Sequence, residues 1–118
     1  MYRVPPDLDL APIVGDFSTQ IRVGLYDFQF DLGGFSFTVT SRLELRKEQS
    51  LIATWEPGGW PEAGFKELFN NAAMKFELPN DREIAIYYDT GAELHLFDDS
   101  DEYECIHISG NGLGLLVI

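Results

Sequence analysis

Residues 28–40 read FQFDLGGFSFTVT, and this alternation constrains the fold more than any other feature of the chain. Phe28, Phe30 and Leu32 alternate with polar Asp27, Gln29 and Asp31, and Phe35, Phe37 and Val39 alternate with Ser36, Thr38 and Thr40. A period of two sends each set to its own face, so Asp27–Leu32 and Phe35–Thr40 are strands with one buried side. Gly33-Gly34 between them marks a tight hairpin. Further strands are expected at Gln20–Gly24, Leu43–Arg46 and Leu51–Trp55, and later at Lys75–Leu78, Glu83–Tyr88, Ala92–Phe97, Glu104–Ile108 and Leu113–Ile118. Turn residues separate the later ones: Pro79-Asn80-Asp81, Thr90-Gly91, an acidic stretch, and Gly110-Asn111-Gly112.

One stretch departs from this pattern. WEPGGWP, 55–61, must turn, and Pro61 suits the first position of a helix. Phe65, Leu68, Phe69 and Ala72 then follow the spacing of one helical face, with Glu62, Lys66 and Asn70 opposite, which predicts an amphipathic helix at about 61–73. Residues 1–16 carry Pro5, Pro6 and Pro12 and read as an extended arm lying across the domain surface. The two sides of the helix look alike. FDLGGFSFTVTSRLEL (30–45) and YDTGAELHLFDDSDEYEC (88–105) pair Asp31 and Gly33 with Asp89 and Gly91, Ser41 with Ser100, and Glu44 with Glu104. The expected fold is therefore α+β and mostly antiparallel. It is one domain over 17–118, with pseudo-repeated β-meanders at 17–55 and 74–118 and the helix between them.

The chain has 118 residues, a net charge of −12 and 45% hydrophobic residues, enough for a core without disulfides or metals. Such a charge disfavours nucleic acid and anionic membrane surfaces and favours a basic protein partner. The imbalance is sharpest after Arg82, where eight acids meet no Lys or Arg. Cys105 is the single cysteine, so no internal disulfide forms. The N-terminal stretch has no unbroken apolar run of the kind a signal peptide needs, and no run approaches a transmembrane length, so a cytoplasmic location is expected.

QIRVGLYDFQF (20–30), TSRLEL (40–45), the GGW of 58–60 and DDSDEYECIHI (98–108) together resemble an uncharacterised family of small bacterial proteins, a domain of unknown function. The resemblance spans most of 17–118 and implies no activity, substrate or catalytic residue. Cys105 stands where that family has a small hydroxyl residue, which counts against it as a shared nucleophile.

The candidate sites are few. Asp98, Asp99, Asp101, Glu102 and Glu104 crowd one loop and are the expected partner-binding residues, able to steer a basic surface as immunity proteins do. The competing interpretation is a solvated turn. Calcium ligation fits poorly, because Tyr103 and Cys105 fall where oxygen ligands would be needed. A hairpin joining 92–98 to 103–108 would set Cys105 and His107 beside Leu94 and Leu96 in the core, with His95 on the other face. Two histidines and one cysteine that do not converge make no zinc site. GNGLGLLVI lacks the Lys and the following helix of a phosphate loop. Trp55 is expected in the core, with Trp60 packed against the start of the helix. No cofactor or metal is expected. The favoured function is a non-catalytic protein-interaction module, with homodimerisation through an edge strand or the tryptophan turn left open. The alternative is a small enzyme or ligand-binding protein using Glu44 and Glu104 in a polar pocket.

Overall fold

A computed structural model describes residues 3–118. Ten strands run in chain order: β1 (Ile21–Val23), β2 (Phe28–Leu32), β3 (Phe35–Val39), β4 (Leu43–Lys47), β5 (Ser50–Trp55), β6 (Ala73–Asn80), β7 (Glu83–Tyr88), β8 (Ala92–Phe97), β9 (Ile106–Gly110) and β10 (Leu115–Val117). They form two antiparallel sheets, ordered β1-β2-β3-β9-β10 and β5-β4-β8-β7-β6. The inner faces share one core. Phe28, Phe30, Phe37, Val39, Ile106 and Ile108 come from sheet one, and Leu43, Leu45, Trp55, Ile84, Ile86, Leu94 and Leu96 from sheet two. Phe30 and Phe37, opposite each other in register, stack with centroids 4.6 Å apart. Phe28 meets Trp55 across the sheets at 5.7 Å.

The predicted helix at 61–73 is not formed. A six-residue 3-10 helix, Ala63–Leu68, takes its place and buries Phe65 and Leu68. Phe69 is already extended, Asn70 is left-handed at φ 61°, and β6 begins at Ala73. Backbone pairing with the N-terminal segment stops the helix: Asn70 N–H donates to Ser18 O at 2.8 Å and Ala73 N–H to Asp16 O at 2.9 Å. A short helix containing a glycine is marginal by itself, and these fixed partners outcompete it. Gly64 lets the chain approach closely, since a Cβ there would stand 2.4 Å from Ile52 O of β5. The architecture is thus antiparallel β with minimal helix, not a sheet with a packed amphipathic helix. The N-terminal segment is also less superficial than expected, because Leu10 and Ile13 are fully buried and its 3-10 turn, Ala11–Ile13, sits against β6.

Neither half of the chain keeps to its own sheet. β1-β2-β3 is a meander in sheet one, after which β4-β5 crosses to sheet two; β6-β7-β8 is a meander in sheet two, after which β9-β10 crosses to sheet one. β3 pairs with β9 and β8 with β4. The expected β8–β9 hairpin is therefore absent, and residues 98–105 form a sheet-to-sheet crossover. This crossover lies against the other one, 40–42. Thr40 N–H donates to Cys105 O at 2.8 Å, Thr40 Oγ1 to Glu104 O at 3.0 Å, and Ser41 Oγ to Phe97 O. Register also shifts one expected equivalence. Glu44 faces His95 on β8, and the matching position on β9 is His107, facing Thr38; Glu104 precedes the strand.

Candidate functional site

The acidic crossover is clasped by arginines from elsewhere in the chain. Asp98, only 2% exposed, turns inward. Its Oδ2 lies 3.3 Å from Arg3 Nη1 and 3.9 Å from Arg82 Nε. Arg82 Nε also donates to Asp98 O at 3.0 Å. Asp101 bridges the same cations, 2.6 Å from Arg3 and 3.1 Å from Arg82. The hydrogen bond from Arg3, with both arginines' charge, holds the Asp101 carboxyl below its ordinary range. Asp99 Oδ2 accepts from Arg42 N–H at 3.3 Å, and Ser100 Oγ accepts from the N–H groups of Glu102 and Tyr103, each at 3.1 Å. Glu104 pairs with His107 at 3.2 Å. Of the five acids expected to meet a partner, Asp98 is buried and Asp101 is neutralised within the chain. Asp99, Glu102 and Glu104 face water.

Cys105 is buried where the crossover meets β9. Burial, with the nearby Asp98 carboxylate, pushes its thiol up. His107 is half-exposed on the outer side of sheet one rather than in the core, because β9 pairs with β3 instead of β8.

Glu44 and His95 lie side by side on the outer face of sheet two, and both are buried. Long side chains cover them. Glu44 is held between Arg42, at 2.7 Å, and Arg46, whose Nε donates at 3.0 Å. His95 Nδ1 meets Glu83 at 2.6 Å and Nε2 meets Glu93 at 3.2 Å. The imidazole lies nearly parallel to the Phe97 ring, over which Arg42 also sits at 4.7 Å. This Arg–Glu–Arg strip beside a Glu–His–Glu strip pairs both His95 nitrogens and both Glu44 oxygens, leaving none aimed at a ligand. The structure does not bring Glu44 and Glu104 together: one is in β4, the other in the crossover, and each has its own partners. Neither lines the cavities at Arg3–Asp81, Asp16–Gly34 or Val23–Trp60. Among the described residues, no group of three or more His, Cys, Asp and Glu is placed to hold a metal ion.

A third feature escaped sequence reasoning. Trp55 is buried as expected, and its indole N–H donates to Gly59 O at 3.2 Å. Trp60 does not pack against the 3-10 helix; it is 87% exposed. The tight PGG turn reverses the chain between the two rings. Leu25 and Tyr26, in the β1–β2 turn, are 65% and 66% exposed. Gly58 N–H donates to Leu25 O at 2.7 Å, joining the two turns around a cavity of about 300 Å³ lined by Val23, Gly24, Leu25, Gly58, Gly59 and Trp60. The available signal was Leu-Tyr between Gly24 and Asp27, two large side chains where a turn normally carries polar ones.

No family model, curated protein or solved structure matches this chain. No helix among the described residues is long and apolar enough to cross a membrane.

Proposed function

We propose that the chain is a non-catalytic protein-interaction module of the cytoplasm that binds a basic protein. One observation carries this. Seven of the eight Lys and Arg side chains (Arg3, Arg22, Arg42, Arg46, Lys47, Lys75 and Arg82) are ion-paired to acids of the same chain. Lys66 alone has no ion pair among the described residues. The cations are thus spent inside the molecule, and the surplus acids define its outward field. A strongly single-signed surface speeds encounter with an oppositely charged protein and repels like-charged ones. The exposed part of the acidic crossover, Asp99, Glu102 and Glu104, belongs to that field. The lone, buried cysteine suits a reducing compartment. The common course of β1–β5 and β6–β10 supports reading the halves as copies of one unit.

The test is affinity capture from bacterial lysate at low and high salt. The native chain is compared with a variant carrying Asp99→Asn, Glu102→Gln and Glu104→Gln. Basic proteins retained at low salt, released at high salt and weakened by the variant support the function. Retention independent of salt and of these acids refutes it.

A further inference from the structure

Resting on that proposed function, we infer that Leu25, Tyr26 and Trp60 form the apolar anchor of the interface. Their partner is a basic segment of another protein whose aromatic or aliphatic side chain fills the cavity beside Trp60. Leu25 and Trp60, from two turns, line the same cavity and are 65% and 87% exposed, and Tyr26, next to Leu25 in the chain, is 66% exposed. Isolated exposed apolar residues need no explanation, but a joined set around a cavity marks a binding surface. Trp and Tyr are also the residues that most often dominate interface energetics.

The surface is built rather than slack. Trp55, anchored in the core, holds Gly59 O; Gly59 N–H donates to Glu56 O at 2.9 Å; Gly24 N–H donates to Asp27 O at 2.9 Å; and the Gly58–Leu25 bond ties the turns together. A pre-formed surface loses little conformational entropy when it binds. Gly58, at φ 87°, supplies the left-handed backbone that the turn beside the cavity requires.

Charge selects the occupant. The two turns, 24–27 and 56–62, carry Asp27, Glu56 and Glu62 and no Lys or Arg. Arg22, the base closest along the chain, is tied to Asp31 at 3.3 Å. A second copy would bring two bodies of charge −12 together at turns that carry acids and no bases, which electrostatics opposes. A segment mixing Lys or Arg with one or two apolar side chains suits both the acidic charge of the turns and the cavity.

The experiment uses the full chain and two synthetic peptides, Lys-Lys-Phe-Lys-Leu-Lys-Lys and an oligolysine of equal charge. Trp60 emission and its acrylamide quenching report binding, since Trp55 is buried. The expected result is a blue shift and quenching protection with the apolar-containing peptide, bound about tenfold or more tightly than oligolysine. Trp60→Ala, checked by far-UV circular dichroism and read by peptide fluorescence anisotropy, should lose that preference, and Leu25→Ser should reduce it. Equal binding of both peptides, unchanged in Trp60→Ala, overturns the anchor and leaves the basic-partner function standing. If neither peptide binds, both fall. Protection of Trp60 on concentrating the protein alone, with dimer seen by sedimentation, also overturns the anchor in favour of a second copy.

Discussion

Replacing Arg82 with Gln tests whether the acidic crossover is fastened as the structure shows. The side chain gives Nε–H to Asp98 O at 3.0 Å and places its charge 3.9 Å from the fully buried Asp98 carboxylate. A hydrogen bond from a charged donor contributes on the order of 1.5 kcal/mol. The ion pairs with Asp98 and Asp101 contribute less, because Arg82 is 38% exposed and water screens them. Arg3 remains beside Asp98 in the variant, so the carboxylate is not left without a cation. The expected loss is therefore about 1–2 kcal/mol, well short of the roughly 3–5 kcal/mol for orphaning a buried charge. For a domain of this length that lowers Tm by roughly 4–8 °C. Arg82→Lys keeps charge but loses the forked donor geometry and should fall between. The assay is thermal melting at neutral pH, repeated in acid. Asp101 has a lowered folded-state value, so its share of the clasp is present above its ordinary value of 3.8 and is lost as pH falls through the lowered one. The gap between native and variant proteins should narrow there. Melting of Arg82→Gln within about 1 °C of the native chain, under a slope this size predicts to be several degrees per kcal/mol, would refute the clasp.

Three further outcomes follow from the packing. Leu94, buried and flanked by Leu45 and Ile86 in register, should cost about 3–4 kcal/mol as Leu94→Ala, read by urea unfolding. Tyr87 is pushed up to about 12 by burial and its hydrogen bond to Glu77, and burial raises Tyr88 as well. The unfolded chain then loses protons that the folded one keeps, so stability should decline above pH 10, read by urea unfolding at rising pH. Cys105, buried with a raised thiol value, should react with a thiol reagent only in denaturant; rapid labelling of the native chain would contradict its placement.

Local sequence carried the strands well and their partners poorly. Glu83–Tyr88 and Ala92–Phe97 form at the predicted boundaries, since alternation and turn residues are local signals. Alternation assigns a face, but not a neighbour. The sequence predicts β9 as the hairpin partner of β8, whereas Ile106 and Ile108 pair with Val39 and Phe37 of β3. Its start also differs: β9 begins at Ile106, and Cys105 stays in the crossover with its N–H donating to Ile118 O at 2.6 Å. The helix failed for a related reason: Ser18 and Asp16, distant in sequence, claim the backbone of Asn70 and Ala73. At the acidic crossover the five acids are legible, but not the two arginines, Arg3 and Arg82, that fold onto them. Arg3 lies 95 positions before Asp98. Likewise Glu44 was visible as a candidate, while His95 beside it depends on the β4–β8 register.

The most direct measurement is a residue-resolved amide footprint by NMR during titration with the Lys-Lys-Phe-Lys-Leu-Lys-Lys peptide at low salt. Shifts are expected to concentrate at Leu25, Tyr26, Gly58, Gly59 and the Trp60 indole N–H, with smaller, salt-sensitive changes at Asp99, Glu102 and Glu104. Shifts centred on the acidic crossover with the Trp60 indole unmoved, or no shifts at all, would contradict this expectation.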